Sequence, residues 1–483
     1  MRRLVGGRVN ERVLGERYRA VLEAEGRLRN GAPTLSRLRT DCAGLLDDLG
    51  ADGVWLLHAA VAGVLPTVAT VRRLQRRAEL DGASAVLTEI EAALGAPSAT
   101  VRVATDRTLV DIHQLVLSPF RTGIQRVAHE LTRRWVADGD VTPVRWADDF
   151  GSMHTLSTDE RRHALDLDED AGAPIEAEIV VPWRARYVIP EVALDKDRTS
   201  RMQAMALHSR TRTTAVVHDL VPVTAAETTE TGVSSDFSHA LAALRHFDRV
   251  AANSEATARE YEGWRTMLGA VGLTGPEVRT VPLGVTVREP SATDIAAARS
   301  RYTVPTVPMV LCVGSHEPRK NHLGVLHAAR LLWQEGRRFS LLFVGGNSWG
   351  SGPFRRWVAE LAAEGAPVET VAGLDDSELW ALYRLARCTV FPSLAEGFGL
   401  PVVESVACGT PVITSDVGAM REAAAGGGAL LVNPRDHRDI ADALRRLLTD
   451  DALHAALTAQ ARRRETRSWD TYAEEVAATL LAD

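Results

Sequence analysis

Two glutamates, Glu396 and Glu404, lie eight positions apart on either side of a glycine loop at 397–400. The apolar run Cys388–Phe391 before the loop predicts a buried strand. Pro401 stands where proline is favoured at the start of a helix, and a helix N-terminus presents free N–H groups to an anion. Carboxylates beside an anion cradle suit a sugar nucleotide, which carries both a diphosphate and hydroxyl groups. The alternative is an ordinary strand-to-helix turn with two exposed glutamates.

A second candidate site is the pair Arg319 and Lys320, just ahead of a helix that Asn321 can cap. The chain has 56 basic residues, of which only Lys320 and Lys196 are lysine. A lysine kept in such an arginine-rich chain indicates a position that needs a compact cation. The alternatives are a solvated turn cation for Lys320 and a simple pairing with Glu317 for Arg319.

Residues 391–411 resemble the donor-site motif of the retaining glycosyltransferases of family 4, and residues 317–321 resemble a second motif of that family. The resemblance extends from about residue 108 to residue 470. It implies that Glu404 binds ribose hydroxyls, that Glu396 faces the donor sugar, and that Lys320 binds the diphosphate. The remaining expected donor-side residues are Gly397, Phe398, Gly399, Leu400, Gly314 and Gly345. Some relatives carry an arginine just after the first glycine of the 314 loop, where this chain has Ser315.

The first half of the chain is expected to supply the acceptor side. Thr122 and Gly123 open a helix predicted at 124–135, and they resemble the family's Thr-Gly-Ile turn. His218 and Asp219 follow a predicted strand at 214–217 and resemble its His-Asp-Leu loop. His218 is therefore a candidate contact to the sugar or the acceptor, with a satisfied structural histidine as the alternative.

Weaker signals lie elsewhere in this half. Ser254 is interpreted as a helix cap, and Trp183, Arg184 and Arg186 as residues that could line an acceptor pocket. The aspartates of an acidic run, Asp166, Asp168 and Asp170, have the Asp-x-Asp spacing of a metal site but are interpreted as a solvated loop.

These residues lead to one functional hypothesis: a retaining glycosyltransferase that moves a hexose from a nucleotide-diphosphate sugar to an acceptor hydroxyl. GDP-mannose is mildly preferred, on the resemblance alone, and no metal or other cofactor is expected. The expected catalytic residues are Lys320, Glu396, Arg319 and His218. The rivals are another sugar-nucleotide enzyme of the same architecture, such as an epimerase or phosphorylase, and a non-catalytic sugar-nucleotide-binding scaffold.

Residue patterns divide the chain into four parts. Residues 1–98 show helical spacing with almost no strand signal, whereas residues 99–287 and 288–470 alternate strands and helices, which is typical of α/β domains with parallel sheets. With the resemblance, this pattern predicts two Rossmann-like domains facing across a crevice, the GT-B type fold, plus an extra helical N-terminal region. Residues 286–308 are interpreted as a linker, and residues 471–483 as a helix that crosses back to the first domain.

Composition bears on compartment and partners. A net charge of −7 argues against a nucleic-acid partner, and four dispersed cysteines predict a reducing, cytoplasmic location. Residues 53–71 are uncharged, but Pro66 divides them, so two buried helices are predicted rather than an integral membrane span. Peripheral membrane contact is left open.

Overall fold

The computed structural model describes residues 2–28, 33–95, 99–118, 123–139, 141–167 and 177–482. It contains two sheets, each flanked by helices, after a helical N-terminal region. The strands are β1 Val101–Ala104, β2 Thr108–Asp111, β3 Val141–Trp146, β4 Met153–Thr155, β5 Ile179–Pro182, β6 Arg186–Ile189, β7 Arg212–Val217, β8 Arg249–Ala252, β9 Glu277–Thr280, β10 Met309–Val313, β11 Ser340–Val344, β12 Val368–Val371, β13 Cys388–Phe391, β14 Val412–Ser415 and β15 Ala429–Val432.

The α-helices follow the same chain order. They are α1 Arg2–Ala24, α2 Leu35–Leu49, α3 Ala51–Leu57, α4 Val68–Asp81, α5 Ala83–Ala92, α6 His113–Leu117, α7 Gly123–Ala137, α8 Thr158–Leu165, α9 Lys196–His208, α10 Val221–Thr224, α11 Val233–Leu244, α12 Glu255–Ala270, α13 Ala292–Tyr302, α14 His322–Gln334, α15 Gly352–Ala363, α16 Asp376–Leu385, α17 Leu400–Ala407, α18 Gly418–Ala424, α19 His437–Thr449, α20 Asp451–Arg463 and α21 Trp469–Leu480. A π-helical segment, His58–Ala62, continues α3, and 3₁₀ turns occupy Ala226–Thr228 and Pro318–Lys320.

The first sheet has nine strands in the order β1-β5-β4-β3-β2-β6-β7-β8-β9, parallel except where β4 pairs with β3 and β5. The second has six parallel strands in the order β12-β11-β10-β13-β14-β15. Apart from polar edge strands such as β9 and β12, most strands are largely apolar, which fits sheets that helices cover on both faces. The α/β class expected from the alternating pattern is therefore confirmed.

The N-terminal helices share a core with the first sheet. Tyr18 and Leu45 are buried in the same apolar cluster as Val181 of β5. The uncharged segment 53–71 forms the end of α3 with its π-helical continuation and, after Pro66, the start of α4. No helix in the described part of the chain is long and apolar enough to cross a membrane.

The last helix, α21, lies on the first half of the molecule. Trp135 of α7 donates its indole N–H to the Ala473 carbonyl at 3.1 Å, and Arg249 donates to the Thr479 carbonyl at 2.6 Å. Burial of Trp469 and Tyr472 in the cluster beneath α7 adds apolar contact to these bonds. The chain therefore returns from the second sheet to the first at its C-terminal end.

The junction between the halves differs in part from the sequence expectation. Val281 and Leu283 are buried under the returning chain, and the Val285 amide donates to the Arg467 carbonyl at 2.8 Å. The final strand of this sheet is the polar edge strand β9, which has no apolar run to reveal it. The expected linker at 286–308 contains helix α13, whose Ala298 and Tyr302 pack in a cluster with Trp380.

Candidate active site

The candidate donor residues meet where the strand order of the second sheet reverses. β10 pairs with β11 on one side and with β13 on the other, so the loops that follow β10 and β13 leave the same sheet edge side by side. In open parallel sheets this switch point is where ligands bind. The first loop carries Arg319 and Lys320, and the second carries Glu396.

The carboxylate of Glu396 is held by two cations. Lys320 Nζ lies 2.6 Å from one carboxylate oxygen, and Arg319 Nη1 lies 2.7 Å from the other. Ser393 Oγ donates to the same carboxylate at 2.6 Å, while Arg319 also pairs with Glu317 at 2.7 Å. The two loops are thus joined by a compact cluster of two cations and two carboxylates, and the pairing of Arg319 with Glu317 is only one part of it.

Electrostatics keeps Glu396 ionised. Burial alone would raise its pKa, but the charges of Arg319 and Lys320 outweigh burial and lower the pKa to about 2. The same carboxylates raise the pKa of Arg319 against the effect of burial. A carboxylate so strongly stabilised as an anion is a poor general acid and a weak nucleophile, so its geometry favours a binding role.

Close backbone approach shapes the floor of this site. An ideal Cβ at Gly345 would lie 2.0 Å from the Gly314 carbonyl oxygen, so the loops after β10 and β11 can touch only because residue 345 is glycine. Gly314 lies beside the Lys320 side chain, whose Nζ is 5.2 Å from the centroid of the Phe391 ring. The aliphatic stem of Lys320 is therefore confined on two sides.

Asn321 does not cap its helix in the expected way. It occupies the position before α14 but makes no side-chain cap bond. Its Nδ2 instead donates to the carbonyls of Pro392 at 3.1 Å and Pro434 at 2.6 Å. The side chain therefore ties the Lys320 loop to the segment after β13 and to the Pro434 backbone.

Glu404, in the second turn of α17, is only 4% exposed. One carboxylate oxygen accepts a hydrogen bond from the Tyr383 hydroxyl at 2.9 Å, and the other pairs with Arg126 Nη1 at 2.8 Å. Arg126 belongs to α7 of the first half and was missed from the sequence. Its position one helical turn after Gly123, an expected site residue, could have indicated a place near the site. Nothing in the sequence linked it to Glu404.

The first half also contacts the glycine loop directly. An ideal Cβ at Gly397 would lie 1.7 Å from the His218 carbonyl oxygen. The Gly397 carbonyl accepts hydrogen bonds from Ser254 Oγ at 2.6 Å and Thr257 Oγ1 at 3.0 Å. Ser254 does cap α12, as expected, by accepting from the Thr257 amide at 3.0 Å, but it also joins the two halves.

His218 and Asp219 lie at the carboxyl end of β7. The His218 ring is buried, which lowers its pKa, and Nε2 is 2.9 Å from the Pro190 carbonyl. A neutral ring that donates from Nε2 fits this contact, so the geometry favours the structural alternative for this side chain. Burial raises the pKa of Asp219, although the nearby Arg319 charge opposes that shift.

Trp183, Arg184 and Arg186 do not line an acceptor pocket at this edge. Trp183 and Arg184 precede β6 and Arg186 begins it, whereas its carboxyl end at Ile189 leads to Pro190 beside His218, so all three lie at the opposite end of that strand. Trp183 is fully buried, and its indole N–H donates to Glu25 at 2.6 Å. The expectation failed because β6, which begins within this stretch, was not recognised from the sequence.

A buried charge network beneath the first sheet's edge was also missed. Arg198 Nη2 lies 3.0 Å from Asp111 and 3.1 Å from Glu191, and all three side chains are fully buried. Glu191 also accepts hydrogen bonds from the amides of Gln114 and Leu115. Asp111 ends the apolar strand β2, and an acidic residue at such a strand end was the available signal.

Among the other predictions, Gly123 opens α7 and lies near Leu400, its ideal Cβ being 3.9 Å from Leu400 Cδ1. Phe398 and Leu400 pack against the first half's apolar cluster, and Gly399 immediately precedes α17. Thr122, Asp168 and Asp170 lie outside the described residues, whereas Asp166 directly follows α8 as its C-cap. Within the described ranges, no three or more His, Cys, Asp or Glu side chains are grouped to hold a metal ion.

Known proteins resemble this chain in sequence. Residues 296–464 match the family described as "Glycosyl transferases group 1". The chain is 26% identical over 383 residues to the serotype-specific mannosyltransferase WbdA of Escherichia coli, across 74% of this chain and 44% of that protein. It is 37% identical to a D-inositol 3-phosphate glycosyltransferase of Nocardia farcinica, across 42% of this chain and 45% of the relative. The match thus spans less than half the length of each relative.

Solved structures show the same fold. The structure of Anabaena Alr3699/HepE in complex with UDP and glucose aligns with 78% of this chain and 99% of its own, with a TM-score of 0.58 at 15% identity. Sucrose-phosphate synthase from Thermosynechococcus elongatus aligns with 78% of this chain and 98% of its own, with a TM-score of 0.57 at 21% identity. The expected GT-B type architecture with a helical N-terminal region is confirmed.

Proposed function

We propose that this protein is a retaining glycosyltransferase that moves a hexose from a nucleotide-diphosphate sugar to an acceptor hydroxyl. The observation that carries the proposal is the cluster at the strand switch point. There Arg319 and Lys320 meet Glu396 beside the start of α17, with Glu404 one turn further on. The cluster brings cations, a helix N-terminus and buried acceptors to a single crevice, as a sugar diphosphate requires.

In the proposed reaction, the acceptor oxygen forms a bond to the anomeric carbon while the bond from that carbon to the diphosphate oxygen breaks. The leaving diphosphate takes the hydroxyl proton, so no protein nucleophile is needed. Lys320 and Arg319 stabilise the negative charge that develops on the leaving group. Glu396 orients these cations and the donor sugar, whereas Glu404 accepts hydrogen bonds from the ribose. No metal or other cofactor takes part.

GDP-mannose is the first donor to test, because WbdA and other relatives are named as mannosyltransferases. UDP-glucose belongs in the same panel, since one protein of the same fold is described in complex with UDP and glucose. A thermal-shift screen of GDP, UDP, dTDP and ADP sugars should identify the base. A ligand at about 100 times its dissociation constant stabilises the folded protein by about 2.7 kcal/mol.

The preferred donor should then be supplied with candidate acceptors and the fresh product analysed by proton NMR. An α-linked product from an α-linked donor supports retention, whereas a β linkage contradicts it. If no nucleotide sugar stabilises the folded protein, the proposed activity is wrong.

A further inference from the structure

The candidate diphosphate site has little uncompensated positive charge. Arg319 and Lys320 face two carboxylates, because Glu396 contacts both cations and Glu317 contacts Arg319 at 2.7 Å. Asp219 adds a further carboxyl beside Arg319, and position 315 in the same loop is serine. A bound diphosphate would add negative charge to a cluster that is already balanced. A cation from outside the second domain would therefore strengthen donor binding.

Arg126 is placed to supply that cation. Helices α7 and α17 lie with their first turns together, since an ideal Cβ at Gly123 is 3.9 Å from Leu400 Cδ1 and Arg126 reaches Glu404 at 2.8 Å. Arg126 and Glu404 each follow those first contacts by about one helical turn, a rise of about 5.4 Å. The guanidinium thus lies within a side chain's reach of the α17 N-terminus, where the proposed diphosphate binds.

Glu404 is enclosed by its partners, so a ribose hydroxyl can reach its carboxylate only if one of them moves. Its carboxylate is almost fully buried, with Tyr383 on one oxygen and Arg126 on the other. Tyr383 belongs to the second domain and approaches from within the fold. Arg126 is partly exposed and comes from the first half, so it is the partner that can leave. The Trp469 ring, 6.0 Å from the guanidinium carbon, provides an apolar support for the moving side chain.

We propose that Arg126 is a donor-binding residue that exchanges partners when the nucleotide enters. The ribose hydroxyls replace Arg126 on Glu404, and the released guanidinium binds the diphosphate. After the exchange, Glu404 keeps hydrogen bonds from Tyr383 and the ribose, and the guanidinium pairs with the diphosphate, so the ribose and the diphosphate are both needed to complete it. A nucleoside frees Arg126 without giving it a new partner, so Arg126 opposes nucleoside binding and favours nucleotide binding. This inference rests on the proposed function.

The test compares a nucleoside diphosphate with its nucleoside in three proteins: wild type, Arg126→Gln and the matched control Arg133→Gln. Arg133 lies on the same helix, but its side chain is largely exposed and faces Glu130 at 3.9 Å. Isothermal titration calorimetry would measure GDP with guanosine, UDP with uridine and ADP with adenosine, and the pair that wild type binds best is used. Arg126→Gln should weaken the diphosphate about tenfold or more, the loss expected for a charge-assisted bond, and strengthen the nucleoside severalfold.

The critical result is that Arg126→Gln weakens diphosphate binding and strengthens nucleoside binding. If Arg126→Gln weakens both ligands equally, Arg126 merely bridges the two halves; if it strengthens both, Arg126 merely blocks the site. Either result overturns the exchange. Arg126→Lys, which keeps the charge, should recover most of the diphosphate affinity, and failure to do so also counts against it. If wild type binds no nucleoside diphosphate, the proposed function itself fails, and this inference fails with it.

Discussion

The two halves of the molecule meet the crevice with different kinds of residue. The second half presents its charges in loops after β10 and β13, where Lys320 and Glu396 lie at the rim. The first half keeps its charges under the rim, where Arg198 joins Asp111 and Glu191 without solvent contact. What it offers to the crevice is backbone, such as the His218 carbonyl, the hydroxyls of Ser254 and Thr257, and the charged side chain of Arg126.

This difference indicates a division of labour. Charges at a rim can exchange partners with a ligand, whereas a fully buried network can only hold its surroundings in place. We therefore expect substitutions in the buried network to change stability, and substitutions at the rim to change binding or turnover.

The largest effect should come from Arg198→Met. The substitution leaves two buried carboxylates without their cation, which typically costs about 3–5 kcal/mol of unfolding free energy. Urea unfolding would measure it, with Lys196→Ala as the control on the same helix. Lys196 is exposed and pairs with Asp236 at 3.3 Å, so its loss should cost under about 1 kcal/mol. Equal effects in the two variants would mean that the network does not stabilise the first half.

The unfolding free energy should depend on pH in opposite directions through Glu396 of the second half and Glu191 of the first half. The pKa of Glu396 is lowered to about 2, so its stabilising contribution is present above about pH 4.5 and is lost as the pH falls to about 2. The difference in unfolding free energy between wild type and Glu396→Gln should change by about 3 kcal/mol over that range, because other carboxyls cancel in the difference.

Glu191 should show the opposite slope. Burial raises its pKa to about 7, so the folded state binds more protons than the unfolded state between about pH 4.5 and 7. In that window the unfolding free energy of wild type should fall, relative to Glu191→Gln, as the pH rises. Slopes of the same sign for Glu191 and Glu396 would remove the contrast between the halves.

Gly397→Ala tests the contact between the halves. The new Cβ would lie 1.7 Å from the His218 carbonyl oxygen, so the glycine loop and the first half must move apart. Because a displacement of the reacting groups by about 1 Å can lower the rate about 100-fold, we expect kcat to fall by that order. Nucleotide affinity should change only a few-fold. Gly263→Ala is the matched control, since a Cβ at Gly263 in α12 meets no atom within 4 Å. Wild-type turnover in Gly397→Ala would show that this contact is not needed.

The smallest predicted effect concerns the shape of one cation. Lys320 is confined between Phe391 and the Gly314 backbone, and a wider, planar guanidinium does not fit the same contact to Glu396. Lys320→Arg should lower kcat/KM about tenfold for each ~1.4 kcal/mol of misplacement. Lys196→Arg should have little effect. Equal, wild-type-like activity in both variants would contradict the diphosphate assignment of Lys320.

Local patterns in the sequence were enough to predict the second sheet's main strands. Met309–Val313, Ser340–Val344 and Cys388–Phe391 are short apolar runs followed by glycine or proline, and each forms a strand. Strands covered on both faces need apolar residues throughout, so a short apolar run in the sequence is enough to indicate such a strand. The edge strand β9 lacks that signal and was missed, whereas β6 was missed although its residues 187–189 are apolar and buried and Pro190 follows them.

The loops of the candidate site were likewise predicted, but their partners were not. The sequence alone determined that Lys320 and Glu396 follow strands that end at one sheet edge, because a parallel sheet aligns its carboxyl ends. Only the tertiary structure decided that Glu404 meets Arg126, 278 positions away, and that Gly397 touches His218. Such contacts depend on how two separately formed sheets pack across a crevice. No periodicity or local spacing in the chain encodes that arrangement.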